Sequence, residues 1–437
     1  MIALFLQQNK DTDFFTKIST QNQIMNKEKK IIVKNYIALL FIQGANFILP
    51  LIIIPYLVRV LGSEKFGLVM IAQTVALFLT IIVDFGFNIS ATKEVASIKD
   101  DKEKLSQFYW NLVFVKIILI IITFIILLGM ISLIDKFKLD PLVYLFSFGL
   151  VIGQAIFPTW FFQGIEKMQV ITFVNVGAKL FFTLSLFFVV FSPDDYIYVP
   201  IFNGLGFIIS GLFGFIFSLQ YVKFVSPKLI QVKEIIKNSS SLFFSNLAVS
   251  FYTSSNTIIL GFFAGDSIAG IYSSMEKLIL AIKSMYSPIY QAIFPNLSTK
   301  THEEVRVFID KIRIPIGILG VVISTIILFG SKTILNFVFN DTLITSYSIV
   351  FQFLGLISIF SSLNMLYVTL YFPSINKYNT RMKILISGGF FNLIIALVLV
   401  QFFAIYGVAF SAITTELFIL ILALYFYYKK INKKVTY

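Results

Sequence analysis

The chain has no cysteine and one histidine. The first absence excludes disulfides, thiolate metal sites and cysteine nucleophiles. The second excludes a His-rich metal centre, because His302 stands in a polar loop without companions. Charged residues make up only 13% of the 437 residues, about half the share of a soluble domain. There is no GxxxxGK[ST] loop to cradle nucleotide phosphates. The glycines of GLGFIISG at 204–211 lie inside an apolar run, where small residues let helices approach closely. No connection between apolar runs is long enough to fold alone, which excludes an extramembrane catalytic domain.

What remains is overwhelmingly apolar. Hydrophobic residues are 58% of the chain and aromatics 17%, and such a chain belongs in lipid. A membrane helix needs about 20 apolar residues, because inside hydrocarbon every backbone polar group must be bonded within the helix. Twelve runs meet this expectation, near 34–60, 66–92, 108–134, 141–163, 168–191, 196–222, 239–263, 268–295, 311–330, 344–372, 382–403 and 405–428. The predicted fold is an all-α integral membrane protein with twelve transmembrane helices.

Lys and Arg set the orientation, since cytoplasmic loops carry their excess. With both termini cytoplasmic, only Arg59, Lys65, Lys136, Lys138 and Lys332 fall at outer loops. The net charge of +13 is spread over every inner loop and builds no single patch for nucleic acid. Such a chain sits among membrane lipids, with both termini on the cytoplasmic side. Residues 1–33 read as a cytoplasmic tail, with Met25 an alternative start that would make 1–24 an artefact, and 429–437 as a second tail.

The segment Leu61 to Ala96 is echoed 203 positions later, from Ala264 onward. Gly62 matches Gly265 and Gly67 matches Gly270, and QGIEKMQ at 163–169 is echoed by PSINKYN at 373–379. Six spans per half put both copies in the same orientation, so the repeat is parallel. The halves are 34–222 and 239–428, joined by a basic linker, 223–238. Val225, Leu229, Val232, Ile235 and Ile236 give the linker near-helical spacing, and it reads as either an amphipathic surface helix or a solvated loop.

Polar groups at membrane depth are costly and usually face a protein interior or a wet cavity. Span 5 carries Thr172, Asn175, Lys179 and Thr183 on one face. Span 8 carries Tyr272, Glu276, Lys283, Ser287 and Tyr290 in one stripe, and span 7 adds Asn246, Ser250, Thr253 and Thr257. Span 1 adds Gln43, Asn46 and, near its outer end, Arg59. Asp84 and Glu416 are the remaining buried acids. Lys116 reads equally as a snorkelling cation. The pairs Asp100–Asp101 and Asp194–Asp195 read as charged turns at the membrane surface rather than as catalytic carboxylates.

LGSEKFG at 61–67, DFGF at 84–87, ATKEVA at 91–96 and QGIEKM at 163–168 together resemble the polysaccharide transporter family of the multidrug/oligosaccharidyl-lipid/polysaccharide exporter superfamily. The resemblance implies two six-helix bundles around a cavity that opens alternately to either side. It implies a flippase for an undecaprenyl-diphosphate-linked oligosaccharide of O-antigen or capsular type, working with other polysaccharide assembly proteins, and not an enzyme. On that reading Arg59, Lys179 and Lys283 hold the anionic head. Asn46, Asn175, Asn246, Thr253, Tyr272 and Tyr290 contact glycan, and Asp84, Glu276 and Glu416 couple transport to a proton or Na+ gradient. No metal or other cofactor is called for. The alternative is a drug/cation antiporter of the same fold.

Overall fold

The structure, a computed structural model, describes residues 49, 52–284, 286, 290, 293–294, 297 and 300–432. Gln43, Asn46 and the side chains of Thr172 and Thr253 lie outside the described residues. Among the described residues the chain is helical throughout, without strands. The main helices are α1 (52–84), α2 (Phe87–Ile98), α3 (Lys102–Leu133), α4 (Pro141–Ile156), α5 (Thr159–Gly164) and α6 (Met168–Val189). They continue as α7 (Tyr198–Ser218), α8 (Leu229–Phe263), α9 (Asp266–Ser284), α10 (His302–Phe339), α11 (Ser348–Asn364) and α12 (Tyr378–Asn432). After Asn364, α11 widens into a π-helical stretch, Met365–Tyr371.

Local chemistry sets where these helices begin and bend. Asp101 caps α3 by accepting the Lys104 amide at 3.1 Å, and that bond holds its carboxyl below the usual carboxylate range. Thr301 and Glu304 form a capping box at the start of α10, where His302 sits exposed. Asp195 accepts the amides of Phe191 and Ser192 at 2.9 and 2.8 Å, so it is a turn-former. Two bends come from positive φ angles: Gly62 (72°) within α1 and Ala404 (46°) within α12.

Eight helical runs among the described residues are long and apolar enough to cross a membrane. Their outward faces suit lipid: α3 alone exposes Ile117, Ile121, Ile122, Ile125 and Leu128. This is a multi-pass membrane protein. α9 falls outside the eight, because Asp266, Glu276, Lys277 and Lys283 crowd its 19 residues. This charge-rich helix carries three of the candidate residues, Tyr272, Glu276 and Lys283.

Glycines set the closest helix contacts. A Cβ on Gly149 would lie 3.0 Å from the Gly204 Cα, and one on Gly211 would lie 2.5 Å from the Gly153 carbonyl oxygen. The 204–211 glycines therefore join α7 to α4, as small residues in a membrane helix do.

The two echoed segments meet each other directly. A Cβ on Gly67 would collide with the Asp266 carbonyl, and one on Gly270 with the Ser63 carbonyl. Ser63 and Asp266 are themselves 203 apart, so the contact is reciprocal. Ser63 and Ser267 share a hydroxyl hydrogen bond of 2.8 Å at the same place, and Gly62 and Gly265 both have left-handed φ, 72° and 88°. The second echo also has a shared shape. Glu166 and Asn376 are left-handed at 62° and 58°, and the following amides, Lys167 and Lys377, each bond five residues back, to Phe162 and Phe372, at 2.8 Å.

The linker is neither of the two forms expected. Residues 222–228 run without helix, and α8 starts at Leu229 and continues unbroken to Phe263. Side chains of α3 strap the linker backbone: Ser106 accepts the Lys223 amide at 3.0 Å, Trp110 donates to the Lys223 carbonyl at 2.9 Å, and Asn111 accepts the Lys228 amide at 2.8 Å. Val232 and Ile235 are buried against α2 and α3, while Leu229 and Ile236 stay exposed.

Candidate functional site

The family-like motifs turn out to be joints. ATKEVA lies on α2 and QGIEKM ends α5, and the two pack together. Gly164 leaves no room for a side chain beside Val95, whose Cβ would be 2.6 Å from a Cβ built there. Thr92 donates to the Gln163 side chain at 3.2 Å, and Lys99 to Glu166 at 2.7 Å. The Lys99 ammonium holds the Glu166 carboxyl below its usual range, although both side chains are solvated. DFGF is the bend between α1 and α2. Phe85 takes φ 45° and Gly86 78°, and the Asp84 carboxylate accepts the Gly86 and Asn88 amides that the bend releases. Phe85 stacks on Phe243 of α8 with ring centroids 4.5 Å apart, and Ser90 and Ser239 share a hydrogen bond of 2.7 Å.

Lys116 does not snorkel. It is 6% exposed, donates to the Ala155 carbonyl at 3.4 Å and lies within coulombic range of Asp84. A buried ammonium bonded to a carbonyl costs less than one left alone, so α3 is tied to α4 at Ala155.

Arg59 lies on α1 about one turn before Ser63 of the reciprocal glycine contact. Its guanidinium donates to the carbonyls of Phe339 (2.8 Å), Val338 (2.7 Å) and Phe337 (3.4 Å) at the C-terminus of α10. A helix C-terminus presents unbonded carbonyls and a partial negative charge, and a cation there satisfies both. Lys136 pairs with Asp266 at 2.5 Å close by. Neither the Ser63–Ser267 nor the Lys136–Asp266 contact is visible as a motif in the sequence.

The deepest charged pair lies in the second half. Lys283, near the end of α9, places its ammonium 2.5 Å from the Glu416 carboxylate of α12. The Glu416 side chain is 4% exposed and that of Lys283 29%. Asn364 clamps Glu416, donating to its Oε2 at 2.6 Å and to its backbone carbonyl at 2.9 Å. Asn364 stands where α11 becomes π-helical, a distortion often found at functional sites. Sequence reading passed over Asn364, although a buried amide in SSLN inside an apolar run carries the same cost as the residues it did choose.

A second polar chain links α8 to α9. Asn256 donates to the Tyr272 hydroxyl at 3.0 Å, and Thr257 reaches Glu276 at 3.4 Å. Tyr272 is 1% exposed and Glu276 half-buried. Glu276 and Lys283 share a helix face as expected, but Lys283's ion-pair partner is Glu416. Asn175 and Lys179 are half-buried one turn apart on α6, and Asn246 is half-buried on α8, its carbonyl accepting from Ser250 at 3.0 Å. Tyr290 is half-buried, 5.3 Å from the Phe294 ring. Arg59, Asp84 and the Lys283–Glu416 pair thus sit in separate surroundings. Among the described residues no three His, Cys, Asp or Glu side chains gather as a metal site. A cavity of ≈ 1090 Å³ opens beside the linker, with Glu94, Gln107, Asn111, Gln231 and Glu234 among its walls.

A bundle of membrane helices with paired charges at depth and a close contact between its echoed segments has the build of a membrane transporter. Its fold is that of an inward-facing multidrug resistance MATE family transporter of the MOP superfamily, at TM-score 0.69 and 14% identity over 89% of this chain and 96% of that one. It is shared also with the lipid II flippase MurJ in an inward closed conformation, at TM-score 0.61 and 17% identity over 90% of this chain and 86% of that one. The chain belongs to the family described as Polysaccharide biosynthesis protein, which it matches over residues 32–301. It is 28% identical over 92% of its length, and 98% of the relative's, to the "Putative O-antigen transporter" of Escherichia coli (strain K12). To the protein of the same name in Shigella dysenteriae it is 30% identical, over 90% and 98%. These relatives are named as transporters, not as enzymes.

Proposed function

We propose that this protein is a flippase that carries an undecaprenyl-diphosphate-linked oligosaccharide repeat unit, of O-antigen or capsular type, across the bacterial cytoplasmic membrane. The observation that carries the reading is family membership combined with near full-length relatives named as O-antigen transporters. Two six-helix bundles, 34–222 and 239–428, rock about the 223–238 linker, with both termini cytoplasmic. Lys179 and Lys283 attract the diphosphate, which a low-dielectric cavity makes far stronger than water would. Arg59 holds the outer end shut until opening releases its guanidinium to the cargo. Asn46, Asn175, Asn246, Thr253, Tyr272 and Tyr290 hydrogen-bond the glycan, and the polyprenyl tail stays in lipid. A proton or Na+ gradient drives the cycle through Asp84, Glu276 or Glu416.

The drug/cation antiporter shares the fold, but the near full-length relatives are named as O-antigen transporters. The test is complementation of a strain lacking its repeat-unit flippase. Lys179→Ala and Lys283→Ala should each abolish surface glycan at normal protein level, and full export by both variants removes them from the cargo path.

A further inference from the structure

Of the two partners in the Lys283–Glu416 pair, one is buried and clamped and the other is partly exposed on a flexible stem. The carboxylate is buried and gripped by Asn364 at both Oε2 and the backbone carbonyl. The ammonium sits on a four-carbon stem and is nearly a third exposed. A lysine in that position can swing away, whereas the carboxylate cannot follow it.

We propose that Glu416 is a built-in competitor for the cargo anion: an incoming phosphate must take Lys283 from it, and Glu416 takes Lys283 back to release the cargo. This rests on the flippase reading above. Separating a buried pair strands a charge in low dielectric and is strongly unfavourable unless a new partner compensates. Only a ligand with high charge density compensates well. The pair therefore selects a diphosphate over a monophosphate, and it keeps the empty site electrically neutral while the protein reorients. Glu416 is on this account a specificity-setting residue that never touches the cargo, and Lys283 is the residue that does.

The chemistry of the proposal predicts opposite effects for the two partners. The experiment uses the full chain in lipid nanodiscs and measures binding of two probes, geranylgeranyl diphosphate and geranylgeranyl monophosphate. Wild type should prefer the diphosphate. Glu416→Gln, which keeps the Asn364 contact but removes the charge, should bind both probes roughly tenfold more tightly and narrow the preference, while slowing export in cells through poor release. Lys283→Gln should lose both probes. The swapped variant Lys283→Glu/Glu416→Lys should regain the thermal stability of wild type without regaining the diphosphate preference.

If wild type binds the diphosphate but Glu416→Gln leaves both affinities unchanged, or weakens them as Lys283→Gln does, the competitor role is overturned and the pair is a structural tie. If the swapped variant regains preference as well as stability, the clamped-and-exposed assignment is overturned. Failure of wild type to bind either probe counts against the flippase reading itself, and takes the competitor role with it.

Discussion

Substituting Gly270 by alanine is the sharpest perturbation that the fold offers. The new Cβ would collide with the Ser63 carbonyl and lie 2.9 Å from the Gly67 amide nitrogen, whereas ordinary contact starts at 3.4 Å. Every atom it meets is backbone, so no rotamer change relieves it, and the α1 and α9 backbones must part by about an ångström. Overpacking of this kind costs about 1–3 kcal/mol. Paid only in the state where the contact is closed, that is roughly a 5- to 150-fold shift toward the state where it is open, at about 1.4 kcal/mol per decade. The absence of native cysteine makes the assay clean: Ser267→Cys is labelled on intact cells with a membrane-impermeant maleimide, with and without Gly270→Ala. Gly129→Ala is the control, since nothing lies within 4 Å of a Cβ there. Labelling should rise at least fivefold with Gly270→Ala and stay level with the control. Unchanged labelling together with normal export would refute the view that this contact opens during transport.

Two further outcomes follow from buried joints. Gly164→Ile should lower the thermal midpoint and cellular abundance by the equivalent of about 2 kcal/mol, because Val95 and the Thr92 carbonyl fill the space, whereas Lys99→Ala at the same joint should change neither, its pair with Glu166 being solvated. Lys116→Met should reduce the amount of folded protein, and Asp84→Asn/Lys116→Met should restore it; if the double variant stays as low as the single one, the two residues do not act as a pair.

The all-helical membrane character was legible because its cause is local, although eight spans, not the twelve expected, stand out among the described residues. Hydrocarbon forces backbone bonds inside each helix, so a run of apolar residues is sufficient evidence of a span. The close contact of the two echoed segments was half legible: Gly62, Gly67, Gly265 and Gly270 announced a repeat, but nothing in a linear string says that one copy touches the other. Pairing was the least legible layer. Lys283 could be seen to share a face with Glu276, since both lie on one helix, whereas its partner Glu416 is 133 residues away and reaches it only through packing. The linker shows the same limit. Its apolar spacing was visible, but the straps that shape it come from Ser106, Trp110 and Asn111 on α3, over a hundred residues earlier.

The motifs that carried the family resemblance and the residues that carry charge occupy different places, and this separation has a physical reason. LGSEKFG, DFGF, ATKEVA and QGIEKM fold into bends and close contacts, where a left-handed φ or a missing side chain is required. Such requirements are strict about residue type and indifferent to cargo. The 203-residue echo keeps them in both copies: Gly62 and Gly265 turn alike, and Gly67 and Gly270 each seat on the other segment's backbone. The charged residues obey no such symmetry. Asp84 stands at the bend after α1 and Lys116 bonds to Ala155 of α4, while Lys283, Glu416 and Asn364 form a buried tie with no counterpart there among the described residues. On the flippase reading proposed above, echoed segments that close and open together need matching joints, whereas a cargo with an anionic head at one end and sugars at the other is best met by surfaces that differ. The repeated glycines therefore speak for the motion, and the unrepeated Lys283–Glu416 pair speaks for what is moved.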